Sequence, residues 1–258
     1  MAYENIKVEK KFDGQISEIS LNTPPANILT SKMLREISEA LAQEEKDQKI
    51  KLIIFSAQEK NFSYGASVEE HLPAKVSEML PVFHKLIGQV IKCPTPTLAL
   101  VRGLCLGGGF ELVLACNFIF TDTTAKFSVP EITLGVFPPV ACALLPSCIS
   151  QVFASQFILT GDKLTAKDLL DFKLANTMVE PNLLELTTHA FIKQQILPKS
   201  ASSLRIANRA LRSSIIDQYD KYIVKLEKLY LGDLMQTEDA KEGVKAFIEK
   251  RSPNWKNA

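Results

Sequence analysis

No stretch of these 258 residues is apolar for long enough to read as a bilayer span. The longest apolar region, roughly 97–120, is broken by Arg102, three consecutive glycines and Glu111. Charges of that kind are costly in hydrocarbon, so the region reads as protein interior. The first residues, Met1-Ala2-Tyr3-Glu4-Asn5, do not form the basic start and apolar run of an export signal. An excess of one charge is missing too. The formal net charge is +1 and the isoelectric point about 7.6, which argues against nucleic acid or another polyelectrolyte as partner. The cysteines (93, 105, 116, 142 and 148) are odd in number and never in Cys-x-x-Cys spacing, which favours reduced, packed thiols and a cytoplasmic setting. Internal repeats and low-complexity tracts are also lacking.

Several catalytic devices are missing as well. The glycines do not spell Gly-x-Gly-x-x-Gly after a strand, and Gly-Lys-Ser/Thr is absent, so neither a dinucleotide nor a phosphate loop is indicated. Gly65-Ala66-Ser67-Val68-Glu69 lacks the second glycine of a nucleophile elbow, which leaves Ser67 a weak nucleophile. His71, His84 and His189 have no metal-ligand spacing, and no metal is expected. His84, beside Phe83 and Leu86 in a helical pattern, reads as structural. His71 follows the Gly65 loop and is open to either packing or lining a pocket. Cys105 reads as a small packed residue before it reads as a reactive thiol.

What is present is a 46% hydrophobic chain, enough for a substantial core, whose first half alternates strands and helices. Residues 6–12 and 15–21 are strand-like and meet at Asp13-Gly14, a hairpin signal. After the break at Thr23-Pro24-Pro25, Ser31 is expected to cap a helix reaching about Lys46. Residues 52–57 and 97–101 read as buried strands, with a loop over 58–68 and a helix over 76–91. Such alternation predicts an α/β fold with a parallel sheet and crossover helices. Ligands then gather at the strand C-termini, here the loops 58–68 and 103–109. Beyond Pro198 the pattern is helical over 200–214, 217–236 and 238–250, an appended unit expected to pack against neighbouring subunits.

The most informative stretch is Gly103-Leu104-Cys105-Leu106-Gly107-Gly108-Gly109-Phe110-Glu111, followed by Pro130-Glu131. Glycines let backbone N–H groups approach a ligand carbonyl. They run into 110–116, which reads as a short buried helix whose free N–H groups and positive dipole end suit a developing oxyanion. Glu111 lies in the apolar first turn, where an ionised carboxylate is costly unless it has a partner or a function. Oxyanion donors beside two carboxylates describe acid–base chemistry next to a polarised carbonyl; the plainer alternative is a helix cap with a solvated glutamate.

These residues carry a resemblance to the crotonase superfamily, the enoyl-CoA hydratases and isomerases. Asn61-Phe62-Ser63-Tyr64-Gly65-Ala66-Ser67 resembles its Phe-x-x-Gly-Ala-Asp loop, and 103–111 its Gly-x-x-x-Gly-Gly-Gly-x-Glu segment. Phe127 to Gly135 resembles Phe-x-x-Pro-Glu-x-x-x-Gly, Leu159-Thr160-Gly161 a Leu-Thr-Gly marker, and Phe247 to Arg251 a C-terminal Phe-x-x-Lys-Arg. The resemblance implies a ββα spiral core over 1–198, holding the CoA and active sites, and a helical oligomerisation region over 199–258. It implies an acyl-CoA thioester substrate, no separate cofactor because CoA is part of the substrate, and a homotrimer or homohexamer. Carried over residue by residue, Ala66 and Gly108 supply the oxyanion hole, and Glu111 and Glu131 are catalytic. Ser63, Tyr64, Ala66, Phe247 and Lys250 fall at CoA-contacting positions.

Departures from the pattern narrow the expectation. The usual glycine-rich turn after Gly135 is replaced by Val136-Phe137-Pro138-Pro139-Val140-Ala141, a stiffer and bulkier wall. Ser67 stands at the aspartate position and Glu69 where a basic residue is common, which weakens the usual phosphate contacts. Together these segments are similar to the branch that hydrates cyclohexa-1,5-diene-1-carbonyl-CoA in anaerobic degradation of aromatic compounds. Tyr64, His71, Phe137 and Pro138 are the expected substrate-pocket residues. The competing expectations are hydration of linear enoyl-CoAs, an isomerase or decarboxylase on the same scaffold, and a non-catalytic acyl-CoA-binding subunit.

Overall fold

A computed structural model describes residues 3–258. The chain opens with β1 (Ile6–Lys11) and β2 (Ile16–Leu21), an antiparallel hairpin turned through Phe12, Asp13 and Gly14 at positive φ. There follow α1 (Ser31–Glu44), β3 (Leu52–Ala57), α2 (Val76–Lys92), β4 (Thr97–Val101), β5 (Leu104–Leu106) and α3 (Gly108–Leu114). Next come β6 (Phe118–Asp122), β7 (Lys126–Ser128), α4 (Pro139–Cys148), α5 (Gln151–Thr160), β8 (Leu164–Thr165), α6 (Ala166–Asp171) and β9 (Thr177–Val179). The chain closes with α7 (Leu184–Phe191), α8 (Ala201–Lys228) and α9 (Glu238–Ile248).

One sheet has the order β1-β2-β3-β4-β6-β9, parallel from β2 onward, and a smaller one the order β5-β7-β8. Each strand of the large sheet from β3 to β6 leads into a short segment beside or within the small sheet: Ser63 bridging Cys105, then β5, then β7. A helix or helical turn follows each, so the path is a repeated strand–strand–helix spiral. Alternate side chains leave a strand on opposite faces, and here both faces are buried. Ile53 and Phe55 join the main core with Ile37, Phe110 and Leu144, while Leu52 and Ile54 pack on the other side with Leu184, Ile192 and Ile196.

The helix boundaries bring three corrections. Thr30, not Ser31, caps α1, because its side chain accepts from Met33 N (3.3 Å) three residues on, the reach an N-cap oxygen needs. α3 starts at Gly108, two residues before the apolar run, so Gly108 and Gly109 lie in its first turn. The expected break between 214 and 217 does not occur, and α8 runs unbroken through Ile215 and Ile216. Its inner face is tied to the core at Arg205, Asn208, Arg212, Tyr219 and Ile223, which holds the helix straight through weak local signals. Tyr219, Ile223, Tyr230, Met235, Ala240 and Val244 belong to the same buried cluster as the sheet residues, so the C-terminal helices share the core of the spiral.

Candidate active site

The loop after β3 runs alongside β5. Ser63 N donates to Leu104 O (3.0 Å) and Leu106 N to Ser63 O (2.9 Å), which sets the two glycine segments next to each other. Gly65 (φ +102°) and Gly107 (φ +49°) lie in backbone regions that favour glycine. A Cβ on Gly65 would come within 2.9 Å of Leu106 O, and one on Gly107 within 2.6 Å of Glu131 Oε1. Ala66 bridges Leu29 through the bonds Leu29 N to Gly65 O and Ser67 N to Leu29 O. Parallel pairing of that form turns the Ala66 N–H the other way. Gly108 N is the first amide of α3 and has no intrahelical acceptor. Among the described residues neither N–H donates to a protein acceptor, and both residues line one cavity of about 450 Å³. That pair can hold a carbonyl oxygen as it gains negative charge.

Glu111 and Glu131 line the same cavity. Glu111 is 3% exposed, on the first turns of α3, and its Oε1 accepts from Ala141 N (2.8 Å) at the start of α4. Burial raises its carboxyl to about 7, against the lowering effect of the Ala141 and Val140 amides. Glu131 sits in the 3-10 turn Pro130–Leu134, and its Oε2 is buried without a hydrogen-bond partner among the described residues. Burial, and then the charge of Glu111, push its carboxyl well above the usual carboxylate range. Two carboxyls that act on each other electrostatically in one cavity titrate as a pair, with a proton retained on one of them near neutrality.

Tyr64, His71, Phe137 and Pro138 also line the cavity. The His71 Nδ1–H donates to Ser67 O (2.7 Å), and burial lowers the imidazole's affinity for a second proton, so the ring stays neutral. His84, in contrast, pairs with Glu227 (2.7 Å) away from the site. Phe247 on α9 closes one side of the mouth at 54% exposure. Two expected contacts do not reach the cavity. Ser63 is fully buried, its hydroxyl donating to Asn27 O (2.7 Å) and accepting from Gly65 N (3.0 Å), so its side chain braces the loop. Lys250 lies past the end of α9 in a left-handed turn, exposed and outside the cavity lining. Cys105 is fully buried with its thiol pKa raised by burial, as a packed residue would be.

Sequence reasoning missed two contributors. The amides at the start of α4 steady Glu111, yet nothing in Pro139-Val140-Ala141 marks them as donors to a residue thirty positions earlier. Tyr230 lines the cavity as well, from a segment that reads only as helix.

The model of the enoyl-CoA hydratase/isomerase family matches residues 11–258. The chain belongs to that family. A cyclohexa-1,5-dienecarbonyl-CoA hydratase of Thauera aromatica is 36% identical, covering 98% of this chain and 97% of the relative. A crotonyl-CoA hydratase of Syntrophomonas wolfei is 31% identical, covering 99% of each. The fold is that of solved enoyl-CoA hydratases, such as one from Mycobacterium avium subsp. paratuberculosis with a TM-score of 0.87 at 22% identity, covering 98% of this chain and 99% of that one. In this member of the enoyl-CoA hydratase/isomerase family both glutamates of the sequence pattern face one cavity. No helix among the described residues is long and apolar enough to cross a membrane.

Proposed function

We propose that this site adds water to a conjugated acyl-CoA thioester, with cyclohexa-1,5-diene-1-carbonyl-CoA preferred and 6-hydroxycyclohex-1-ene-1-carbonyl-CoA the product. The observation that carries the reading is the pair Glu111, a buried residue, and Glu131, whose Oε2 is buried, lining the same cavity as two amides without a protein acceptor among the described residues. Ala66 N–H and Gly108 N–H hold the thioester oxygen. Glu111, oriented by the Ala141 amide, accepts a proton from water as the water oxygen bonds to the carbon β to the thioester. The π electrons move into a dienolate whose charge rests on the oxygen at the two amides. Glu131, whose carboxyl is held protonated by burial and by the charge of Glu111, delivers that proton to the far end of the conjugated system. In a six-membered ring that carbon stands para to the new hydroxyl, and the remaining double bond returns to conjugation with the thioester.

Tyr64 and Phe247, at the mouth, are assigned to the CoA arm, and Lys250 to its adenosine end outside this cavity. Phe137, Pro138 and Pro139 form a stiff wall where a glycine turn would yield, and the edge of Phe137 meets the Tyr230 ring (5.3 Å). A flat ring matches such a wall better than a flexible chain does, and the Thauera aromatica relative acts on a substrate of that shape. A trimer or dimer of trimers is part of the same proposal. α8 leaves Ile206, Leu211 and Val224 exposed at 67%, 75% and 70%, apolar surface that a neighbouring subunit would cover. The unpaired thiols at Cys93, Cys105 and Cys116 fit a reducing, cytoplasmic setting.

The test is competition between substrates. With the cyclic dienoyl-CoA and crotonyl-CoA assayed side by side, kcat/KM is expected to favour the ring about a hundredfold. Equal or faster hydration of crotonyl-CoA rejects the cyclic preference and leaves the hydratase chemistry standing. Absence of hydration on either thioester rejects the chemistry itself.

A further inference from the structure

The two buried tyrosines of the C-terminal helices differ in one respect. Tyr219 Oη donates to His84 O (2.7 Å) and is a finished structural contact. Tyr230 is 1% exposed, yet its Oη has no hydrogen-bond partner among the described residues. A buried hydroxyl left without a partner costs about 1–3 kcal/mol, so the arrangement asks for a ligand atom. Tyr230 lines the cavity that holds Glu111 and Glu131, and both carboxylates act on it electrostatically, Glu131 more strongly. It also occupies an irregular piece of backbone: α8 passes at Leu229–Asp233 into a π-helical turn, and Tyr230 is its second residue. Such turns interrupt the regular succession of helix faces and recur at functional sites. Glu131 Oε2, on another residue lining the cavity, is also buried and without a partner among the described residues. Two residues lining one cavity thus carry unsatisfied polar atoms, Tyr230 with a hydroxyl free to donate and Glu131 with an oxygen free to carry the proton bound for carbon.

We infer that the Tyr230 hydroxyl donates a hydrogen bond to the oxygen of the water being added and, after addition, to the new hydroxyl of the product. This rests on the hydratase reading above. Water then gives one hydrogen to Glu111, accepts from Tyr230 through one lone pair, and attacks the β-carbon with the other. In the reverse direction the same bond supports the departing oxygen as Glu111 returns its proton. Burial and the two carboxylates keep the phenol protonated, so it acts as a donor throughout. No bond to Tyr230 is made or broken.

The experiment compares wild type and Tyr230→Phe in the full chain, with matched ligand pairs that differ by one hydroxyl. One pair is 6-hydroxycyclohex-1-ene-1-carbonyl-CoA and cyclohex-1-ene-1-carbonyl-CoA; the other is 3-hydroxybutyryl-CoA and butyryl-CoA. In at least one pair the substitution is expected to weaken the hydroxylated ligand about tenfold and leave its partner within twofold. Hydration kcat should fall about tenfold, and Tm should hold or rise, because the lost hydroxyl has no protein partner. Unchanged affinity for both hydroxylated ligands overturns the inference. Weakening that is equal within each pair also overturns it, by making Tyr230 a wall, and a Tm lower by several degrees does so by revealing an internal bond. Should wild type hydrate no enoyl-CoA, the hydratase reading fails, and the ligand pairs still decide whether Tyr230 contacts a hydroxyl.

Discussion

Two groups of polar residues border the main core, and they are treated in opposite ways. On the inner face of α8, Arg205 donates to Glu45 O (2.8 Å), Asp47 O (2.6 Å) and Ile50 O (3.2 Å). Asn208 donates to Cys93 O (3.0 Å) and Arg212 to Ala115 O (2.5 Å). Only the Nε atoms of the two arginines are left over. Around the cavity, Glu131 Oε2 and Tyr230 Oη have no partner among the described residues, and Glu111 holds a raised pKa with the Ala141 amide on its Oε1. Burial alone therefore does not separate structural from chemical polar groups in this protein. An open hydrogen-bonding valence separates them only together with a place on the cavity, since buried atoms of Ser17, His84 and Thr95 are also unpartnered among the described residues and do not line it. Arg205, Asn208 and Arg212 close on backbone carbonyls and tie α8 to loop ends; under the proposed function the open atoms of Glu131 and Tyr230 receive substrate.

The sharpest way to break this contrast is to neutralise the open side. Glu111→Gln and Glu131→Gln are each expected to lower kcat for hydration by at least about a hundredfold, the loss of a general base or acid, with the fold retained. Near-wild-type turnover by either folded variant would place those carboxyls with the structural group.

A mirror-image test addresses the closed side. Arg205→Met removes a donor from the carbonyls of Glu45, Asp47 and Ile50 and should destabilise the protein by about 3 kcal/mol, a fall in Tm of about 8 °C. Thermal unfolding and kcat measured on the same preparation check it, with kcat per folded molecule unchanged. A large drop in kcat at full stability would show that α8 does more than brace the fold.

Smallest in size, and most specific in sign, is a pH effect on stability. Glu111 moves from an ordinary value of 4.5 to about 7 on folding. A carboxyl raised in the folded state contributes its full stability below the unfolded pKa and loses it as pH rises through the folded one. Wild type should therefore weaken between about pH 4.5 and 7 through this group, and Glu111→Gln should not. The glutamine variant is expected to match wild type near pH 4 and to exceed it at pH 8, read as Tm against pH. A constant difference across that window would mean that Glu111 is already ionised at low pH.

Much of this arrangement was legible beforehand, and the reasons are local. Leu52–Ala57 and Thr97–Val101 are short, apolar and bounded by polar loops, and they form strands at those bounds. Gly65 and Gly107 announced a close approach of backbone because few residues can take their φ. Glu111 stood out because a charge in an apolar helical turn conflicts with its surroundings. Other features followed from contacts between distant parts of the chain. Ser63 has the residue type and loop position of a ligand contact, but Asn27, brought from before α1, takes its hydroxyl inward. The weak helical signal at 214–217 was overridden by Arg212 and Tyr219 on either side, whose partners come from α3 and α2.

The sequence alone therefore determined the alternating α/β architecture, the glycine segments and the identity of the two acidic residues. Each depends on periodicity, on φ preference or on the cost of an isolated charge, properties a short window carries. The tertiary structure decided which polar groups are left open. Whether Glu131, Tyr230, Ser63 or Arg205 finds a partner depends on atoms that come from other parts of the chain. Hydrogen bonding acts over about 3 Å, so only the folded chain, which brings α3, α4 and the turn after α8 around one cavity, could set that distinction.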